Sequence, residues 1–110
     1  MPVRATNHKY EGSIAGLIAV VEAALSLVPA DRKSHIVPFN DIEARLDSIL
    51  PRNRRMNSEE ILSALAFAFP LYKNNRSRNR HIKLDVDTPY RTFQKYGIHM
   101  QPLEHIRKMI

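Results

Sequence analysis

Residues 57–83 have the sequence NSEEILSALAFAFPLYKNNRSRNRHIK, which joins the most apolar part of the chain to its most basic part. The first half is predicted to form a helix that begins at Asn57 and ends before Pro70, because proline cannot continue a helix. Nearly every position from Ile61 to Phe69 is apolar, a pattern typical of a helix buried on all sides. We therefore expect this helix to anchor the core.

The second half of this stretch is strongly basic. Residues 73–83 carry five Lys/Arg and no carboxylate, and such a block of like charges must face water or a partner. A second basic cluster precedes the helix. Arginine and lysine neutralise phosphates, and a tyrosine can stack on an unpaired base. The candidate binding residues are Arg52, Arg54, Arg55, Tyr72, Lys73, Arg76, Arg78, Arg80 and Lys83.

Length and charge set the broad class. The 110 residues predict one globular domain over residues 1–110, with residues 1–12 extended or frayed. The net charge is +6, and residues 51–110 hold twelve Lys/Arg against five Asp/Glu, whereas residues 1–50 hold five against six. This asymmetry favours a polyanionic partner. Cysteine is absent, which excludes disulfides and thiolate metal sites.

Capping residues and prolines divide the remaining sequence into further helices. Ser13 is predicted to cap a helix that runs to about Leu27. Asn40, with Glu43 three residues later, predicts a capping box at the start of a helix that Pro51 ends. Thr88 is predicted to cap a helix that Gly97 terminates. A last helix is expected from Pro102.

Alternation of apolar and polar residues predicts a strand over residues 81–87, with Ile82, Leu84 and Val86 on its buried side. Residues 35–37 are the candidate partner strand. The predicted fold class is therefore mainly α: a compact bundle of about five short helices with at most a small two-stranded β-ribbon. The residues expected to form one core are Ile14, Leu17, Ile18, Val21, Ile61, Leu62, Leu65 and Phe69.

Two more specific sites fit less well. A helix-turn-helix over residues 41–50 and 58–69 has a link longer than the usual three to four residues, and its second helix begins with Glu59 and Glu60. A nuclease-like metal site could use His81, Lys83, Asp85 and Asp87, which would share one face of the strand. Charges of both signs are, however, ordinary on an exposed strand.

The sequence thus predicts a small, non-catalytic, cytoplasmic protein that binds nucleic acid through phosphate contacts, with a regulatory role. No metal or cofactor is predicted. Glu22 interrupts the apolar run after Ser13, which argues against a secretory signal or a membrane span. The alternatives are a protein-interaction module that binds an acidic surface, such as a phage or mobile-element inhibitor of a host protein, and a small metal-dependent nuclease or toxin. Homodimerisation is left open.

Overall fold

The computed structural model describes residues 12–69 and 81–98, which form four α-helices and one two-stranded sheet. The radius of gyration of the Cα atoms is 13.2 Å, about the value of a compact folded chain of this size. A short 3₁₀ helix covers Arg52–Arg54. The elements are α1 (Ile14–Leu25), β1 (Ser34–Pro38), α2 (Phe39–Ile49), α3 (Ser58–Ala68), β2 (His81–Asp85) and α4 (Thr88–Lys95).

The predicted class, mainly helical with a small two-stranded ribbon, is confirmed. The described residues contain four α-helices rather than about five, because the helix expected from Pro102 lies outside the described residues, as do residues 1–11. Within residues 12–69 and 81–98, no helix is long and apolar enough to cross a bilayer.

Helix α1 is the element on which the other helices assemble. Ser13 caps it as predicted, since the Ser13 hydroxyl accepts a hydrogen bond from the Gly16 N–H at 3.0 Å. Both α2 and α3 pack against it. The helix after Asn57 contributes to the core as expected, but it is not buried on all sides, because α3 exposes Ser63 and Ala66. The central position belongs to α1, which buries Leu17, Val20, Val21, Ala23, Ala24 and Leu25.

The predicted core is largely confirmed. Leu17, Val21, Ile61, Leu65 and Phe69 are buried, and Ile14, Ile18 and Leu62 are partly buried against them. Burial of such side chains removes apolar surface from water and supplies the main stabilisation of a domain this small.

The two Asn-x-x-Glu sequences behave differently. Asn57 and Glu60 form the predicted capping box at the start of α3. Asn40 and Glu43 do not, because α2 begins one residue earlier, at the buried Phe39, with Pro38 in the N-cap position. Glu43 instead accepts a hydrogen bond from the Ser58 hydroxyl at 2.8 Å and so connects α2 to α3.

The end of the described chain is fixed by Gly97, whose φ of 74° is the only positive value among the described residues. The Ile98 N–H donates to the Phe93 carbonyl at 2.8 Å, and the Gly97 N–H donates to the Gln94 carbonyl. This pair of bonds is a Schellman motif, as the glycine predicted. The other end of α4 differs by one residue from expectation: Asp87 occupies the N-cap position and Thr88 is already helical.

Candidate functional site

The two strands form an antiparallel ribbon with one buried and one open face. Ile36 pairs with Lys83 in the register, and Val37 pairs with Ile82. Val37, Ile82 and Leu84 are buried. Successive side chains of a strand point to opposite faces, so these residues face the core and their chain neighbours face outward. The ladder extends one step further, since the Val86 N–H donates to the Lys33 carbonyl at 2.9 Å.

The opposite face of the ribbon is exposed at its centre. Ile36 has 59% of its surface accessible and is one of two exposed large hydrophobic residues in the described chain. Lys83, directly across from it, is also exposed. An open depression of about 380 Å³ lies on this side and is lined by Arg32, Ser34, His35, Ile36 and Lys83.

Two cations, Arg32 and Lys83, line the depression on this face. Among the described residues, neither Arg32 nor Lys83 is engaged by a carboxylate. Asp85 lies at the far end, opposite Ser34, and is half-buried. The end of β2 nearest His81 continues directly into residues 70–80. Lys83 therefore lies near the centre of the ribbon, and Arg32 precedes Ser34 at the same end as Asp85, away from residues 70–80.

The charge of the chain is distributed unevenly. Residues 12–69 and 81–98 contain nine Lys/Arg and nine Asp/Glu, so the whole excess of +6 belongs to residues 1–11, 70–80 and 99–110. Residues 70–80 alone contribute four Lys/Arg and no carboxylate. The described body is thus electrically balanced, and the strongest concentration of positive charge is the segment that enters β2.

Tyr72, Lys73, Arg76, Arg78 and Arg80 lie outside the described residues, and Lys83 lies in the depression.

The other basic cluster is separate from this depression. Arg52, Arg54 and Arg55 are all exposed on and beside the 3₁₀ helix. They precede α3, whereas residues 70–83 follow it, and the eleven residues of α3 extend about 16 Å at 1.5 Å per residue. The adjacent Met56 is close to the first turn of α1: a Cβ at Gly16 would lie 3.3 Å from its Sδ.

The helix-turn-helix hypothesis is not supported by the packing. Helices α2 and α3 pack mainly on α1 and only weakly on each other, whereas a helix-turn-helix unit places its two helices against one another. The exposed positions of α3 include Glu59, Ser63 and Ala66, which offer no cation to DNA. The helices form a scaffold for the ribbon.

The four residues of the nuclease hypothesis do not share one strand face. The strand ends at Asp85, and Asp87 lies beyond it at the start of α4. Its carboxylate is 3.7 Å from the Arg91 guanidinium in an exposed ion pair. Within the described ranges, no three His, Cys, Asp or Glu side chains are grouped as metal ligands.

Of the five residues that line the depression, the sequence interpretation named only Lys83 and missed the other four, among them Arg32 and Ile36. The sequence contains one indication of this grouping: Arg32, Ser34 and Ile36 are two residues apart, and residues two apart in an extended chain lie on the same face. If Val37 points to the core, Ile36 faces outward together with Ser34. That assignment needs the register against β2, which the sequence of residues 34–38 does not contain by itself.

Comparisons of the chain with protein-family models, curated proteins and solved structures found no match.

Proposed function

We propose that this protein binds nucleic acid without catalysis, through phosphate contacts made by residues 73–83 and by Arg32 at the rim of the ribbon face. The observation that carries the proposal is the charge distribution. A balanced body is joined to a segment with four Lys/Arg and no carboxylate, and that segment leads directly to Lys83.

The chemistry of these side chains suits phosphate. Guanidinium groups donate paired N–H bonds to phosphate oxygens, and ammonium groups act as mobile point charges. Asn74, Asn75, Ser77 and Asn79 alternate with the cations in the sequence, and such groups commonly contact phosphate and sugar. In this proposal the affinity comes mainly from counterion release and falls steeply with salt.

The cluster of Arg52, Arg54 and Arg55 is a second phosphate-binding patch in this proposal. The two patches flank α3 in the sequence, so a duplex that contacts both has to be longer than one that contacts either alone. A ligand of that length would bind more tightly than a short one.

The test is a fluorescence-anisotropy panel on labelled duplex DNA, single-stranded DNA and RNA, each with about 20 nucleotides or base pairs per strand. We expect binding to at least one, weakened by orders of magnitude between about 50 and 200 mM salt. Absence of binding to all three at the lower salt concentration would contradict the proposal.

A second candidate function is supported by Ile36. Protein interfaces commonly have an apolar centre surrounded by polar and charged residues, and Ile36 with Arg32 and Lys83 around it has this arrangement. Such a surface would suit an acidic partner, such as the host target of a phage or mobile-element inhibitor. Purification separates the two functions. Nucleic acid retained at low salt favours the first, whereas a defined acidic polypeptide retained after nuclease treatment favours the second.

A further inference from the structure

We propose that the β-ribbon enters the major groove of B-form DNA, with Ile36 and Lys83 contacting base edges. This inference rests on the proposed nucleic-acid function and names its substrate: duplex DNA, bound through its major groove.

The dimensions of the ribbon agree with this ligand. Neighbouring strands lie about 4.8 Å apart, and a two-stranded ribbon fits the major groove, which is about 12 Å wide, but not the minor groove, which is about 6 Å wide. Outward residues two positions apart on a strand are separated by about 6.7 Å. That distance matches two base-pair steps of about 3.4 Å.

The ribbon is also open on the side that would enter the groove. Its inner face is occupied, since Val37, Ile82 and Leu84 are buried in the core. On the outer face, Ile36 and Lys83 are exposed to solvent and line the open depression.

The side chains at the centre of this face have complementary partners in the groove. The Lys83 ammonium can donate to O6 and N7 of guanine, and the Ile36 side chain can contact the C5-methyl group of thymine. Arg32, at the rim of the depression, is available to a phosphate.

Single-stranded ligands suit this face less well. Proteins that bind single strands stack successive bases on Phe, Tyr or Trp side chains. The outward positions of the two strands are Ser34, Ile36, Pro38, His81, Lys83 and Asp85, and none of the six is one of these aromatics. Duplex RNA is disfavoured for another reason, because its major groove is too deep and narrow for side chains.

The first experiment compares ligands and grooves. We expect tighter binding to duplex DNA than to duplex RNA of the same sequence or to either single strand. Methyl green, which occupies the major groove, should displace the protein, and netropsin, which occupies the minor groove, should not. Displacement by netropsin alone, or equal affinity for duplex DNA and duplex RNA, would overturn the inference.

The second experiment uses matched variants in a binding selection from a randomised duplex pool. Lys83→Ala should weaken binding to the selected duplex about 5- to 150-fold, and Ile36→Ser should reduce the preference for thymine. The controls are Lys95→Ala and Ile49→Ser, which remove an exposed cation and the other exposed isoleucine. Circular dichroism verifies that all four variants fold.

The outcomes distinguish the two proposals. If wild type binds nucleic acid but Lys83→Ala behaves like Lys95→Ala and Ile36→Ser like Ile49→Ser, the groove inference fails while the phosphate-binding function stands. If wild type binds no nucleic acid, both fail.

Discussion

Ile36 lies directly across the ribbon from Lys83, and both side chains face solvent. Their chain neighbours Val37 and Ile82 face the core and are buried. In the proposed function, stability and binding therefore belong to opposite faces of the same two strands. Substitutions on the outer face should change binding with little effect on folding, because exposed side chains contribute little to stability, and substitutions of core residues should do the reverse.

Leu65→Ala tests the core. Leu65 is fully buried in α3, and truncation of such a side chain leaves a cavity, so the free energy of unfolding should fall by about 2–5 kcal/mol. Urea denaturation followed by circular dichroism measures it. Leu62→Ala, at a half-buried position of the same helix, should cost clearly less. A loss below about 1 kcal/mol for Leu65→Ala would mean that α3 does not pack as described.

Glu60→Ala tests the capping box against a matched neighbour. The Glu60 carboxylate accepts a hydrogen bond from the Asn57 N–H at 2.9 Å, whereas no hydrogen bond of the Glu59 side chain is found among the described residues. Both variants remove one negative charge from the first turn of α3. Glu60→Ala should therefore lower the melting temperature more, by the equivalent of about 1 kcal/mol. Equal melting temperatures would show that the box adds no stability.

Gly97→Ala tests the end of α4. The φ of 74° places a side chain in the left-handed region, which costs an L-residue other than Gly or Asn about 1–2 kcal/mol. We expect the free energy of unfolding to fall by about that amount. Gly97→Asn should restore part of it, since asparagine tolerates this conformation. Chemical denaturation of the three proteins would show the order Gly, Asn, Ala.

Asp85→Asn and Asp87→Asn test the nuclease alternative. We expect no cleavage of DNA or RNA by wild type with Mg²⁺, and unchanged or slightly tighter binding by both variants, since a carboxylate repels phosphate. Loss of the exposed Asp87–Arg91 pair should cost at most about 1 kcal/mol. Asp47→Asn, at an exposed position of α2, is the control. Metal-dependent cleavage abolished by either change would revive the nuclease hypothesis.

Local sequence predicted much of this fold, but tertiary context decided between identical patterns. Asn57-x-x-Glu60 and Asn40-x-x-Glu43 carry the same signal, yet only the first forms a capping box. Phe39, which precedes Asn40, is buried in the core, and α2 begins at Phe39 with Pro38 as its N-cap. Such an outcome depends on what packs against Phe39, which a local pattern does not contain.

For the candidate site, too, local sequence predicted only part of what the structure shows. Alternation over residues 81–87 correctly predicted Ile82, Leu84 and Val86 as buried and Lys83 as exposed, although the strand itself ends at Asp85, two residues earlier than expected. The position of Ile36 beside Lys83 follows only from the register between two segments more than forty residues apart. The depression and its mixed apolar and basic lining were therefore beyond prediction, whereas the basic character of residues 73–83 was evident from composition.

The most direct test of the central claim is a salt titration of duplex-DNA affinity for wild type and the triple variant Arg76→Ala, Arg78→Ala, Arg80→Ala. The control is Arg45→Ala, Arg91→Ala, Lys95→Ala, which removes the same net charge from exposed positions elsewhere. If the three arginines bind phosphates, their variant should flatten the slope of log affinity against log salt by up to about 3. The control should retain nearly the wild-type slope. Equal slopes for wild type and both variants, or a wild type that does not bind, would contradict the account.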